Sequence, residues 1–147
     1  MLKQLLLCKR LFNEGMTFAK RSDSVSNGIA ISLFQDSVEI CVWAIIKDKN
    51  IQVKDGAPFT GYIEAIQKAG FILPQVAKIN ELNKARVNFK HYGNLPASGE
   101  GIKFQSYVED FLTTSFQDYF NQNFEKVSLV DLVSDPDVRE KLKEAES

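Results

Sequence analysis

The stretch that decides the fold is residues 22–47, which read SDSVSNGIAISLFQDSVEICVWAIIK. Ser22, Asp23 and Ser24 favour a helix start here, because their side-chain oxygens can accept hydrogen bonds from the free N–H groups of a first turn. Apolar residues then recur at steps of three and four, the period of a helix: Ala30, Leu33, Phe34, Val38, Cys41, Val42 and Ile45. The segment therefore predicts a long helix, although it contains many β-branched residues.

Similar patterns predict further helices around this one, separated by segments rich in glycine, proline and polar residues. The predicted bounds are about Leu2 to Lys20 for the first, Phe59 to Gly70 for the third and Pro74 to about Lys90 for the fourth, and the fifth carries Phe104 to Phe120 after a loop from Tyr92 to Gly101. Trp43 is expected in the core, and an aromatic cluster is expected in the core or at a dimer interface: Phe111, Phe116, Tyr119, Phe120 and Phe124. The fold class is thus all-α, an up-and-down bundle of four to five helices.

The bundle is expected to occupy residues 1–126, and residues 127–147 are expected to form a short helical extension. Ser128 and Asp131 could form a capping box there, and Asp135-Pro136 marks a second helix start. Because the last helix would stop at Ser147 without a cap, the extension could equally lead into a longer protein.

Composition limits the function classes. The chain has 147 residues, 44% hydrophobic and 25% charged, which fits one globular domain. Its net charge of -1 gives no general attraction to nucleic acid, so any RNA contact must come from a local cluster. Cys8 and Cys41 lack Cys or His companions at metal-ligand spacing, which indicates small core residues in a reducing compartment. The apolar run Val38 to Ile46 contains Glu39 and is too short for a membrane span, so we expect a cytoplasmic protein with no membrane partner.

The fourth helix carries polar residues where apolar ones are expected. At 100° per residue, five apolar residues lie within about 80° of Ile79 and define its predicted buried face: Val76, Ile79, Leu82, Val87 and Phe89. Asn83, Arg86 and Lys90 fall within about 40° of the centre of that face. Since a buried guanidinium without a partner costs several kcal/mol, Arg86 needs either a structural partner, such as Glu39 or loop carbonyls, or a cleft that binds anions.

His91 is the only histidine, and it follows Arg86 by five positions where the helix must end. On its own, such a residue more often interacts with the helix dipole than catalyses a reaction. Together with its neighbours, however, the segment 82–93, LNKARVNFKHYG, resembles the R-x4-6-H signature of the HEPN family (higher eukaryotes and prokaryotes nucleotide-binding domains). The resemblance covers about residues 1–125 and includes the helix order and the long apolar second helix.

The resemblance implies a metal-independent endoribonuclease without a cofactor, active as a homodimer in prokaryotic defence or a toxin–antitoxin system. Arg86 and His91 would be its catalytic residues, and Asn83, Asn88 and Lys90 would orient the RNA backbone. Positions five apart on an ideal helix point about 140° away from each other. The two catalytic side chains would therefore meet only if the helix unwinds near Lys90 or if a second copy completes the site.

A second hypothesis is a HEPN-like interaction or oligomerisation module without catalysis, belonging to a larger sensor protein. Val87 supports it, because catalytic members of the family often carry Asn, Asp or His directly after the arginine. An antitoxin or fused sensor domains would be partners under one or the other hypothesis.

Overall fold

The computed structural model describes residues 2–127, and within them the chain is all-helical. The helices are α1 (Leu2–Ala19), α2 (Ser24–Asp48), α3 (Phe59–Lys68), α4 (Val76–Tyr92) and α5 (Glu100–Phe120), followed by a 3₁₀ turn at Phe124–Lys126. The predicted all-α bundle is confirmed. The predicted helix starts at Ser128 and Asp135 lie outside the described residues.

Helix α2 is the centre of the bundle. Asp23 caps it, accepting a hydrogen bond from the Ser26 backbone N–H at 2.8 Å, as the sequence predicts. Helix α1 runs antiparallel to α2 and approaches it closely, because Gly15 has no side chain and the ring of Phe34 lies in the space a Cβ would fill. Cys8 and Cys41 are fully buried core residues, and the Cys8 thiol lies 3.2 Å from the hydroxyl oxygen of Ser37. The long second helix thus buries its apolar residues against several neighbours.

The start of α5 is fixed by a buried asparagine that sequence patterns did not single out. Asn27 is fully buried and accepts a hydrogen bond at 2.7 Å from the backbone N–H of Gly101. Its amide donates to the carbonyls of Arg21 and Asp23 in the α1–α2 turn. These bonds join the α1–α2 turn to the first turn of α5, which makes α5 parallel to α2.

Helix α4 packs across α2 and carries the predicted site. The ring of Phe89 lies against Gly28, where a Cβ would be 2.3 Å from the nearest ring carbon. The helix ends at Gly93, whose φ of 66° is the left-handed conformation common after a helix. Only Ile79 and Leu82 of the five predicted apolar positions are fully buried; Val76, Val87 and Phe89 are half-buried. The buried face of α4 is therefore narrower than predicted.

Several boundaries and burial predictions need correction. Helix α4 begins at Val76, two residues after Pro74, and continues to Tyr92, and α5 already includes Gly101. Trp43 is 39% exposed, because it lies on the outer side of α2 beside Tyr62 of α3. In the predicted aromatic cluster, Phe111, Phe116 and Phe124 are confirmed as core residues, whereas Tyr119 and Phe120 are half-buried.

Helix α2 is long and apolar enough to cross a membrane by length and composition. Within its most apolar window, 67% of the residues are buried inside the bundle. A core helix of a helical bundle has the same composition, so this test is weak evidence for a membrane span.

Candidate functional site

The predicted site residues lie on two different sides of α4. Asn83 and Arg86 are half-buried and face α2, as the angular positions predict. Lys90 was placed on the same face, and that prediction is wrong, because its side chain is exposed. On the last turn of α4, Phe89 touches the first turns of α2. Asn88 and His91 are also exposed on this turn.

Arg86 has a structural partner, and the partner is Asp36. Arg86 Nη2 and Asp36 Oδ1 are 3.7 Å apart, and the two side chains are 22% and 39% exposed. The predicted alternative partner, Glu39, is not the residue that pairs with it. At 3.7 Å the contact is an ion pair without the short N–H···O geometry of a charge-assisted hydrogen bond. The guanidinium is therefore neutralised in part and held loosely.

A second set of polar groups lies beside this pair on α2. Gln35 is fully buried, and its amide nitrogen lies 3.2 Å from both Asn83 Oδ1 and Glu39 Oε1. Within residues 2–127, Gln35 Oε1 and Arg86 Nε are both buried without a hydrogen-bond partner. Such unpaired buried polar atoms are rare in native proteins, and these two leave one acceptor and one donor unused where α4 packs on α2.

The sequence reasoning missed Gln35 and Asp36 as parts of this site. The signal was present, because polar residues at 35, 36 and 39 interrupt the apolar second helix at helical spacing. Their meaning depends on α4, since only the packing of α4 against α2 brings Asn83 and Arg86 beside them. A single helix pattern does not show which helix lies opposite.

His91 is separated from Arg86 within one chain. Helix α4 does not unwind near Lys90: it remains helical through Tyr92, and the Gly93 N–H bonds to the Phe89 carbonyl at 3.1 Å. On such a helix Arg86 and His91 point about 140° apart. Of the two routes by which these side chains could meet, the local unwinding of α4 is thus ruled out, and only a second copy remains.

No protein-family model, curated protein sequence or solved structure matches this chain.

The chemistry of the arrangement follows from its groups. Arg86 supplies positive charge and N–H donors, which suit a phosphate oxygen, although Asp36 offsets that charge in the free chain. His91 is an exposed imidazole, whose ring nitrogens can donate and accept hydrogen bonds. Among residues 2–127 no group of three or more His, Cys, Asp or Glu side chains is arranged to hold a metal ion.

Proposed function

We propose that this chain is a metal-independent endoribonuclease of HEPN type that acts as a homodimer, in a prokaryotic defence or toxin–antitoxin system. The observation that carries the proposal is Arg86, a half-buried guanidinium whose Nε has no partner within the described residues. It lies on the same helix as the only histidine of the chain, at the spacing of the R-x4-6-H signature.

In this mechanism the 2′-hydroxyl of an RNA nucleotide attacks the adjacent 3′-phosphate. The 2′-oxygen forms a bond to phosphorus, the bond to the 5′-oxygen of the next nucleotide breaks, and a 2′,3′-cyclic phosphate remains. His91 moves the proton between these oxygens, and Arg86 stabilises the negative charge that develops on the phosphoryl oxygens. Asn83 lies beside Arg86 where α4 packs on α2, and it contacts Gln35 there. The exposed Asn88 and Lys90 would hold the RNA backbone beside His91.

The ion pair with Asp36 sets a condition on this mechanism. A phosphate that binds Arg86 competes with Asp36 for the guanidinium. The long 3.7 Å separation makes Asp36 easier to displace than the carboxylate of a short, bidentate pair. Because Arg86 and His91 of one chain diverge, the active arrangement combines side chains from two copies.

The second candidate is an interaction module without catalysis. The Asp36–Arg86 pair favours it, because it gives Arg86 a structural role that needs no substrate. Under this hypothesis the stability of the fold depends on both partners, and His91 has no effect on any reaction.

The test is RNA cleavage in the presence of a chelator, with end-group analysis of the products. We expect the wild type to leave 2′,3′-cyclic phosphate ends and His91→Ala to cleave more slowly by about 10²-fold or more. Lys54→Ala is the matched control, because Lys54 is an exposed cation in the loop between α2 and α3, whereas the last turn of α4 packs near the start of α2, and it should cleave like the wild type.

Equal cleavage by the wild type and His91→Ala would assign the activity to a contaminant. Absence of cleavage by the wild type over a broad set of RNAs, together with a loss of stability in both Asp36→Ala and Arg86→Ala, would favour the interaction module.

A further inference from the structure

One side of the bundle presents an open groove between α1 and α2. Its volume is about 610 Å³, and its lining is mainly apolar: Leu7 and Leu11 of α1, Ile40 and Trp43 of α2 and Tyr62 of α3. The ring centres of Trp43 and Tyr62 are 5.7 Å apart. Sites for small organic molecules have volumes of about 300–1,000 Å³ and linings of apolar and aromatic side chains. This groove, which we call the Trp43 groove, therefore has the size and lining of such a site.

The Trp43 groove also contains a carboxylate that no cation neutralises. Its polar lining consists of Gln4, Asp36 and Glu39. Asp36 is paired with Arg86, whereas Glu39 is half-buried and forms no ion pair with any of residues 2–127. Because a charge beside apolar surface is costly without a charged partner, Glu39 favours an occupant that carries a positive charge.

The Glu39 carboxylate is held in place by Gln35. Gln35 is fully buried, and its amide nitrogen lies 3.2 Å from Glu39 Oε1. Among residues 2–127 the second carboxylate oxygen, Oε2, takes part in no hydrogen bond. One oxygen is thus bound by the protein, and the other is left for a donor on a bound molecule.

The cations around the groove do not occupy this place. Arg10 on α1 is paired with Glu14 at 2.9 Å, and Lys47 Nζ lies 5.0 Å from the centre of the Trp43 ring. Neither of these cations lines the groove, and nor does the exposed Lys3. A bound cation would therefore lie at the free carboxylate, which leaves the Trp43 ring to contact the apolar part of the same molecule.

We propose that the Trp43 groove binds a small arylalkylamine, with the ammonium group on Glu39 and the aromatic ring against Trp43 and Tyr62. Glu39 and Trp43 are one turn apart on α2, so they are separated by about 6 Å along the helix axis. An ammonium group joined to a ring by about three methylene groups spans this distance. The proposal goes beyond the proposed function, because it requires no catalytic role of Arg86 or His91.

The test uses the fluorescence of Trp43, which is the only tryptophan of the chain and is 39% exposed. Phenylpropylamine, the uncharged phenylpropanol and the anionic phenylpropionate are titrated into the full chain, with selective excitation of tryptophan. The amine should bind about tenfold more tightly than the alcohol, because a hydrogen bond between two ionised groups is stronger than one that involves a neutral hydroxyl. The anion should bind most weakly.

Three variants separate the charge from the apolar contact. Glu39→Gln keeps an oxygen for Gln35 but removes the charge, so the preference for amine over alcohol should fall below about twofold. The matched control is Glu64→Gln, which changes an exposed carboxylate about 160° away from Tyr62 on α3 and should keep the wild-type preference. Leu7→Ala, at a 49% exposed position, should weaken the binding of amine and alcohol alike. Urea unfolding establishes that each variant is folded.

Three results would overturn the proposal: no change in Trp43 fluorescence at millimolar phenylpropylamine, equal binding of the amine and the alcohol to the wild type, or a preference for the amine that survives in folded Glu39→Gln. RNA cleavage is not part of this measurement. A failure of the amine to bind therefore leaves the nuclease proposal intact, and a chain that cleaves no RNA leaves the groove proposal intact.

Discussion

Replacement of Gly28 by alanine tests how α4 is held against α2. A Cβ on Gly28 would lie 2.3 Å and 2.5 Å from two carbons of the Phe89 ring. Since carbon atoms pack at about 3.5–4.0 Å, the ring must retreat by more than about 1 Å. Overpacking of this kind costs about 1–3 kcal/mol, whereas alanine inside a helix gains about 0.5–1 kcal/mol over glycine. The overpacking and the helix propensity change the free energy of unfolding in opposite directions. Gly28→Ala therefore needs a reference variant that has the gain from helix propensity with little overpacking.

Gly61→Ala is that reference. Gly61 also lies in a helix, but the nearest atoms to its Cβ would be Ala57 Cβ at 3.3 Å and Pro58 Cδ at 3.5 Å, so a shift of only a few tenths of an ångström accommodates the methyl group. We expect Gly28→Ala to be less stable than Gly61→Ala by about 1–3 kcal/mol in urea unfolding followed by circular dichroism. Addition of Phe89→Leu should recover part of the loss. Equal stabilisation by the two alanine variants would show that α4 does not press on α2 at Gly28.

Two further predictions concern the ends of α2 and α5. Asn27→Ala should lower the free energy of unfolding by about 2 kcal/mol, because it leaves the buried Gly101 N–H without its acceptor. The control, Asn13→Ala at an exposed position, should change the free energy of unfolding by less than about 0.5 kcal/mol. Equal effects of the two substitutions in chemical denaturation would contradict the role of Asn27. The hydrogen bond from the Ser26 backbone N–H lowers the pKa of Asp23 below its ordinary 3.8, so the stability that this carboxylate adds is present above pH 3.8 and is lost as the pH falls through its lowered folded-state pKa. Asp23→Asn keeps a capping oxygen without this titration, and the stability difference between wild type and variant should shrink on acidification; a constant difference would contradict the prediction.

The sequence alone determined the helices of residues 2–127 to within a few residues. Local patterns decide these elements: Asp23 caps α2, Gly93 ends α4, and apolar residues repeat at helical steps. The same periodicity placed Asn83 and Arg86 correctly at the packed side of α4. The burial that periodicity predicts for Lys90 is wrong, because periodicity gives the angle of a residue around the helix axis. It does not give the length of helix that a neighbouring helix covers.

Only the tertiary structure decided which residue meets Arg86. Asp36 and Glu39 lie one turn apart on α2, within about 60° of each other around its axis, so the sequence of α2 does not distinguish them. The crossing of α4 over α2 selects Asp36, and the contact of Phe89 with Gly28 helps to fix that crossing. Side-chain type and spacing are local properties, whereas a partner is chosen by how two helices pack.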